Sequence, residues 1–493
     1  MHHLYPGNVE KRLALRHVQG SVLYISAALY LFMIIPGVAA GMAADTLLHF
    51  GIPGAVIFMA GAMLRQRGHV AVRMRMSDAA RIVFWGWILL VLTAMPPFMT
   101  LAGMSPVQAL FESVSGWTTT GLSVADIPHT HAMIFLWRSV LQLAGGAGLA
   151  ILLISIAGGA AGSLYSRVEG RELLVPQVRA SARLVLQLYG VYLFAGVLAY
   201  MVVGMSLFEA FNHACAAIST GGFSTRFDSI GAWDSMPVEA VSIALMILGN
   251  LNFLTAWLLV RRRWNALMHN SELRLGGLAL AIAIILVYLT TTAHVYASFT
   301  KDIRVAVFET VSALTTTGFS TVGYGQWHPS GILILIILMI IGGGACSTAG
   351  GLKQVRVYIL AQYLRRAVRQ FILPRGAVLP LIVQESERKR SVSDSEMSAI
   401  AAFTFLYLGL LLSGTLLLTM YGYSLSDSLF EFASALGTVG ISIGVTGPHT
   451  PAVVLLIETA GMVLGRLELF LVFAGIHSVM TPIQRLRRTL KKV

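Results

Sequence analysis

Apolar stretches long enough to cross the roughly 30 Å hydrocarbon core of a lipid bilayer recur along this whole chain. They lie at about residues 21–44, 82–103, 132–160, 184–204, 237–260, 275–295, 331–360, 398–421 and 452–480, and a shorter stretch at 50–64 completes a hairpin with the first. With 56% hydrophobic and only 12% charged residues, a soluble fold would have too little polar surface to cover its core. The sequence therefore predicts an all-α polytopic membrane protein.

The net charge of +13 comes from Lys and Arg residues that concentrate in connections on one side of the predicted spans. The basic segments are 11–16, 65–81, 167–183, 261–274, 353–390 and 485–492. This asymmetry is the positive-inside pattern, which predicts that both termini are cytoplasmic. A basic face that orients the protein and contacts anionic lipid accounts for the charge, so nucleic-acid binding is not supported.

A short motif of small residues, Thr, Gly, an apolar residue and Ser occurs four times. The copies are GWTTTGLS (116–123), AISTGGFS (217–224), ALTTTGFS (313–320) and ALGTVGIS (435–442). If the four copies converge on one axis, they form a ring of backbone carbonyl groups that can replace the hydration shell of a monovalent cation. One polypeptide would then carry a complete selectivity filter.

A half-length amphipathic segment precedes each motif and is too short to span a bilayer. We expect these segments to re-enter the membrane as short helices whose C-terminal ends place partial negative charge near the motif. A polar residue recurs nine positions before each motif glycine, at Glu112, His213, Glu309 and Glu431. These side chains could cap or tether a loop, or they could form an acidic ring that concentrates cations.

Glycines interrupt the apolar helix after each motif at a similar distance and predict a break in all four helices, at Gly146, Gly249, Gly343 and Gly465. In the third repeat the interruption is GGGACSTAGG (342–351), which predicts an unwound loop because each Gly costs a helix about 1 kcal/mol relative to Ala. Arg466 lies within the last span, where an Arg costs at least ~2.5–3.5 kcal/mol. It could form a gate with the loop, or it could bind carbonyl groups in a purely structural role.

Together these residues resemble the TrkH/KtrB branch of the Trk/Ktr/HKT superfamily of potassium transporters. The resemblance covers essentially the whole chain and rests on the loops TTTGLS, STGGFS, TTTGFS and GTVGIS and on the segments GGGACSTAGGLK and GRLE. It implies four helix, re-entrant pore loop, helix repeats around a central pore, plus an N-terminal two-helix hairpin that makes the chain TrkH-like. It also implies a multi-pass protein of the bacterial cytoplasmic (inner) membrane.

The resemblance further implies which residues act on the ion. The implied potassium-binding filter residues are Thr119, Thr120, Gly121, Thr220, Gly221, Gly222, Thr316, Thr317, Gly318, Thr438, Val439 and Gly440. The implied gate comprises Gly342, Gly343, Gly344, Ser347, Thr348, Gly350, Gly351 and Arg466. An intact glycine at Gly121 implies potassium as the substrate. We expect no catalytic residue and no cofactor in this chain.

Two positions of the second repeat depart from the pattern of the others. Asn212 stands where the other repeats have Phe, and Gly221 stands where two other loops have Thr. The second loop is therefore the least certain contributor to the implied filter.

The resemblance implies a homodimer that assembles on cytoplasmic TrkA/KtrA-like RCK nucleotide-binding subunits. The connection at about 361–397 ends in the polar run QESERKRSVSDSE (384–396), which could dock such a partner or could be a solvated linker. The chain has no P-loop and no dinucleotide fingerprint, so any nucleotide dependence would belong to the partner.

The spacing of the motifs predicts the domain boundaries. We expect an N-terminal cytoplasmic segment and hairpin at 1–78, pore repeats at 79–165, 166–265 and 266–376, an intramembrane loop at 342–352 inside the third repeat, a cytoplasmic linker at 377–397, and a fourth repeat with a basic C-terminus at 398–493.

Potassium uptake by permeation through a filter is the leading interpretation of the sequence. The alternative is a proton- or sodium-coupled cation symporter of lower potassium selectivity, which would require an ionisable pair near the bilayer midplane. An enzyme is not expected, because the chain contains no HExxH motif and no nucleophile and base spaced for chemistry.

Overall fold

Helices make up nearly all of the regular structure. The computed structural model describes residues 8–66, 76–156, 178–296, 298–345, 347–372, 380–385, 388–467, 472–473 and 475. The chain divides into two compact units, of which the first comprises 1–117, 129–187 and 467–493 and the second comprises 118–128 and 188–466. Six helices in the described part are long and apolar enough to cross a membrane, or seven if one bent pair is counted as a span.

An N-terminal hairpin of two long apolar helices forms part of the first unit. It consists of α1 (Asn8–Ala39) and α2 (Ala43–Gln66). Small residues allow these helices to approach closely, as is typical of helix pairs in membranes. A Cβ added to Gly61, for example, would lie only 3.1 Å from the carbonyl oxygen of Gly20. The predicted hairpin is therefore confirmed.

Three further helices of the first unit pack together, and the two long ones also pack on this hairpin. They are α3 (Met76–Thr100), α4 (Pro106–Trp117) and α5 (Ala132–Ile156). An aromatic cluster joins α5 to the hairpin, because Trp137 contacts both Tyr30 and Phe50, with ring centroids 4.8 and 5.6 Å away. The polar edges of the cluster are satisfied: the Tyr30 hydroxyl donates to the carbonyl of Thr93 at 2.7 Å, and the Trp137 indole N–H donates to that of Ala94 at 3.1 Å.

The second unit contains the loop at 118–128, which carries the first motif, and the remaining elements. The helices are α6 (Val178–Val202, of which the part from Leu188 belongs to this unit), α7 (Leu207–Ile218), α8 (Met236–Asn250), α9 (Phe253–Val260), α10 (Trp264–Met268), α11 (Ser271–Val295), α12 (Phe299–Leu314), α13 (Pro329–Ile341), α14 (Gln354–Ile372), α15 (Asp394–Thr419), α16 (Leu425–Leu436) and α17 (Ala452–Arg466). We call α4, α7, α12 and α16 the pore helices, since each directly precedes one of the four motifs.

Three of the four predicted helix breaks are present. The stretch 237–260 is not one straight span, because α8 and α9 meet at an angle of 117° just after Gly249. The stretch 331–360 is interrupted between Ile341 and Gln354, and α17 ends at Arg466, next to Gly465. The break predicted at Gly146 is wrong, because α5 continues as a helix to Ile156. The glycines here, at about 1 kcal/mol each relative to Ala, cost too little to end a long apolar helix.

A β-hairpin lies within the segment predicted to be a linker at 377–397. Strands β1 (Ile382–Glu385) and β2 (Arg388–Ser391) pair antiparallel, and α15 begins at Asp394, earlier than the boundary predicted at 398. Val383 is fully buried and packs in a small core with Ile359 of α14 and Ile400 of α15. The described part of this segment is therefore folded against two helices.

Candidate functional site

We call the four motif loops, which contain Gly121, Gly222, Gly318 and Gly440, the filter loops. Each begins where a pore helix ends, as the end of α7 shows. The N–H of Thr220 donates to the carbonyl of Ala217 at 3.1 Å, and the N–H of Gly221 donates to that of Ala216 at 2.8 Å. This pair of bonds is the Schellman motif, which satisfies the last carbonyls of a helix and requires a left-handed residue directly after it. The ends of α12 and α16 form the same pair of bonds.

The left-handed residue is a threonine in all four loops. Its φ angle is 55° at Thr119, 51° at Thr220, 52° at Thr316 and 49° at Thr438. A β-branched residue in this conformation is a clear outlier, which costs of the order of 1–3 kcal/mol and persists only where the surroundings impose it. We call these four residues the filter threonines. Four equivalent outliers at equivalent positions mark the loops as a functional rather than an incidental feature.

The four motif glycines close the loops into a ring within the second unit. A Cβ added to any of them would overlap a backbone carbonyl oxygen of the next loop, so only glycine fits. The contacts run from Gly121 to Gly221, from Gly222 to Thr317, from Gly318 to Val439 and from Gly440 back to Thr120. The loops therefore follow one another in chain order, and the fourth returns to the first.

All twelve residues predicted for the filter lie in these four loops, and the structure brings the loops together. Ten of the twelve are buried, and Gly121 and Gly440 are half-buried. The second loop, which the sequence left least certain, joins the ring like the others through Gly221 and Gly222. The departure at Asn212 is also accommodated, since its amide donates to the carbonyl of Phe208 at 2.7 Å.

In three of the four pore helices, the recurring polar residue tethers the segment that follows the filter loop. The carboxylate of Glu309 accepts from the N–H and hydroxyl of Thr321, at 2.7 and 2.8 Å, and from the hydroxyl of Tyr324. The imidazole of His213 lies 2.9 Å from the hydroxyl of Ser224. Both side chains are fully buried, so the tethering alternative describes them and an exposed acidic ring does not.

Glu431 makes the most extensive of these tethers. Its carboxylate accepts from the hydroxyl of Ser442 at 2.7 Å, from the N–H of Ile443 at 3.0 Å and from the N–H and hydroxyl of Thr446. In the first unit the equivalent residue, Glu112, forms a buried ion pair with Arg138, with 3.3 Å between Oε2 and Nε. The pair gives Arg138 a structural role and explains how an Arg is tolerated in that helix.

The segment between Ile341 and Gln354 is an unwound loop, as predicted; we call residues Gly342–Gly351 the intramembrane loop. Left-handed glycines stand at both ends, with φ angles of 68° at Gly342 and 76° at Gly351. The loop is closed on itself by a hydrogen bond of 3.2 Å from the N–H of Gly343 to the carbonyl of Gly350. Glycine is required at both ends because other residues rarely adopt this conformation.

Arg466 contacts the intramembrane loop directly. Its guanidinium group donates to the carbonyl of Thr348, while the Thr348 hydroxyl donates to the carbonyl of Gly249 at 3.0 Å. The loop is thus held between α17 and the end of α8. The structure brings together all eight residues predicted for the gate. Glu468 of the GRLE segment lies outside the described residues.

Sequence reasoning missed three side chains that hold the same loop. The amide oxygen of Asn250 accepts a hydrogen bond from the N–H of Gly344 at 3.1 Å. The carboxylate of Glu272 accepts one from the N–H of Ala345 at 2.8 Å. Lys353 donates to the carbonyl of Ala349. The one available signal was position, since Asn250 follows the predicted break at Gly249 and Lys353 follows the glycine run.

Close packing of glycines against the pore helices is another shared feature. A Cβ on Gly249 or Gly465 would overlap the carbonyl oxygen at the C-terminal end of the neighbouring pore helix. In the first unit it is Gly145, and not the predicted Gly146, that packs in this way against the carbonyl of Trp117. The spacing predicted the location to within one residue, but the helix rotation decides which glycine faces the pore helix.

The described residues contain no group of three or more His, Cys, Asp or Glu that could hold a metal ion. The filter loops instead offer backbone carbonyl groups and threonine hydroxyls, which are uncharged oxygen ligands suited to a monovalent cation.

A sequence profile of the TrkH family, described as a cation transport protein, matches residues 49–479. The chain belongs to the TrkH family. An uncharacterized cation transporter of Methanocaldococcus jannaschii is 26% identical over 461 residues, which cover 92% of this chain and 93% of the relative. The Trk system potassium uptake protein TrkH of Halomonas elongata is 30% identical over 420 residues, which cover 82% and 86%.

The crystal structure of the potassium transporter TrkH from Vibrio parahaemolyticus shares the fold of this TrkH family member. The TM-score is 0.81 at 24% sequence identity, over 93% of this chain and 97% of the other. The family assignment and the all-α membrane fold predicted from the sequence are therefore confirmed. The relatives are transporters, in agreement with the prediction that this chain is not an enzyme.

Proposed function

We propose that this chain takes up potassium ions through a selectivity filter formed by its four filter loops. The single observation that supports this most is the closed ring of glycine-to-carbonyl contacts, which runs through all four loops and returns to the first. A ring of backbone carbonyls built this way can replace the hydration shell of potassium without any charged ligand. The names of the Trk system relatives from Halomonas elongata and Escherichia coli agree with potassium as the ion.

The intramembrane loop and Arg466 form the gate in this proposal. The loop obstructs the path beside the filter threonines and must move for ions to pass. Its many backbone hydrogen bonds and its left-handed glycines suit a segment that exchanges between two arrangements. Arg466 stabilises the closed arrangement through its hydrogen bond to Thr348.

The protein acts as a homodimer on TrkA/KtrA-like RCK nucleotide-binding subunits in this proposal, in the cytoplasmic membrane with both termini inside. Two of the relatives are named as Trk system proteins, which agrees with a protein that works as part of a larger system. The basic connections 261–274 and 353–390 support the orientation, because Lys and Arg are retained on the cytoplasmic side.

The test is cation flux into proteoliposomes that contain this chain alone, comparing wild type with two glycine variants. Gly222→Ser places a side chain against the carbonyl of Thr317 and should reduce the preference for potassium over sodium roughly tenfold or more. Gly444→Ser is the matched control: Gly444 also has a left-handed φ, 104°, but an added Cβ meets nothing within 4 Å. This control should keep the wild-type preference.

Two outcomes would reject the proposed filter. One is an unchanged potassium preference in Gly222→Ser, provided that the variant folds and inserts normally. The other is wild-type flux that shows no potassium preference and depends on a proton or sodium gradient, which would favour the coupled symporter instead.

A further inference from the structure

The filter and the intramembrane loop are joined by direct hydrogen bonds. The N–H of Gly350, in the loop, donates to the hydroxyl oxygen of Thr316, in the third filter loop, at 2.7 Å. The hydroxyl of Thr220, in the second filter loop, donates to the hydroxyl oxygen of Thr348 at 3.0 Å. The four residues that form these bonds are all buried, so water does not compete for the bonds in this arrangement.

The other two filter threonines make no such bond. Among the described residues, neither the hydroxyl of Thr119 nor that of Thr438 has a hydrogen-bond partner, although both are buried. Thr438 lies against the loop, since a Cβ added to Gly350 would overlap its hydroxyl oxygen. Four residues with the same identity and the same backbone conformation therefore differ in what their hydroxyls do.

We propose that Thr220 and Thr316 are positioning residues that latch the intramembrane loop to the filter and hold the gate closed. This inference rests on the proposed function of the filter and loop, and it adds two residues to the gate that Arg466 and the glycines do not account for. While the latch is closed, these two hydroxyls are engaged by the loop. They become free to contact a cation only when the loop moves away.

The two bonds differ in strength. The Gly350 N–H has the Thr316 oxygen as its acceptor, and a buried N–H that loses its acceptor is destabilised by its full desolvation penalty. The single hydrogen of the Thr220 hydroxyl is shared, because the carbonyl of Ser219 lies 2.7 Å away and competes with Thr348. Removing the Thr316 hydroxyl should therefore open the gate more than removing the Thr220 hydroxyl.

Threonine-to-valine variants test this order, because valine keeps the shape and the β-branch and removes only the hydroxyl. Basal potassium flux of the chain alone in proteoliposomes should rise about tenfold in Thr316→Val, since losing a buried hydrogen bond shifts a two-state equilibrium by that order. The rise should be smaller in Thr220→Val. It should be absent in Thr415→Val, the matched control, whose buried hydroxyl donates to the carbonyl of Leu411 within α15, outside the filter and the loop. Thr316→Ser, which retains the hydroxyl, should restore the low basal flux.

Two further measurements on the same variants distinguish a latch from a merely structural role of these hydroxyls. The thermal unfolding temperature in detergent reports lost stability, which would lower flux or leave it unchanged but would not raise it. The potassium-to-sodium flux ratio reports damage to the filter.

The latch is rejected if Thr316→Val folds, keeps the wild-type ion preference and shows the same basal flux as the control Thr415→Val. It is also rejected if Thr119→Val raises the flux as much as Thr316→Val, because the hydroxyl would then matter only to the filter. Failure of the filter proposal has a different signature, namely no potassium preference in the wild-type chain.

Discussion

A buried carboxyl group that accepts several hydrogen bonds holds the segment that follows the fourth filter loop. Glu431 is fully buried and accepts from two backbone N–H groups and two hydroxyls of residues 442–446. A buried group that loses such hydrogen bonds is destabilised by its desolvation penalty. The tether fixes the segment that follows Gly440 and so limits how far the ring can widen.

Glu431→Gln tests this tether. The amide keeps the size of the side chain, but its NH2 group faces donors, so at least one bond is lost and a buried donor is left unsatisfied. We expect a loss of about 1–3 kcal/mol in the free energy of unfolding and a weaker potassium preference. Thermal unfolding in detergent and proteoliposome flux measure the two effects. Asp427→Asn, in the first turn of the same helix, is the control and should leave both nearly unchanged. An unchanged unfolding temperature in Glu431→Gln would contradict the tether.

At the scale of residues, recurrence in the sequence located the important positions but not their partners. The spacing of Glu309 and Glu431 from the motif glycines predicted a shared role, and tethering was one of two alternatives. The donors come from loop residues such as Tyr324, whose positions depend on how the loop folds back. The latch on Thr316 was equally invisible, because all four filter threonines look the same in sequence.

At the scale of elements, the β-hairpin β1–β2 braces the helix that follows the intramembrane loop. Its inward-facing residues Leu381 and Val383 pack with Ile359 of α14, which begins at Gln354 directly after the loop. This hairpin is not recognisable in the sequence, because most of its residues belong to the polar run at 384–396. Hydropathy detects long apolar helices well, but a strand with two or three inward-facing apolar residues leaves little signal.

The two neighbouring residues Ile382 and Val383 give a matched test of the hairpin. Val383 is fully buried, and Ile382, on the opposite face of the same strand, is 49% exposed. Val383→Asp buries a charge without a partner and should cost roughly 3 kcal/mol, enough to release the hairpin from α14 and α15. Ile382→Asp should be tolerated. Brief trypsin digestion in detergent should then cut after Lys389 and Arg390 much faster in Val383→Asp. Equal cleavage of both variants would show that the hairpin does not depend on this core.

At the scale of the whole molecule, one chain supplies all four filter loops, and the helix breaks place the intramembrane loop beside them. The repeat spacing predicted the four loops and the loop segment, because irregular backbone at membrane depth must line a cavity or lie inside protein. The order in which the loops close the ring could not be predicted. It depends on which carbonyl each of Gly121, Gly222, Gly318 and Gly440 packs against, and that is a property of the folded backbone.

The distribution of charge across the whole chain makes a final prediction, that the connection carrying Arg261, Arg262 and Arg263 faces the cytoplasm. Phe227, after the second filter loop, is 81% exposed, and Met268, beside that basic connection, is 71% exposed. In intact cells an impermeant maleimide should label Phe227→Cys but not Met268→Cys, and both should react once the membrane is permeabilised. The unsubstituted chain gives the background, to which the fully buried Cys215 contributes little. Labelling of Met268→Cys alone in intact cells would mean that the chain is inserted in the opposite orientation and that the basic residues do not set it.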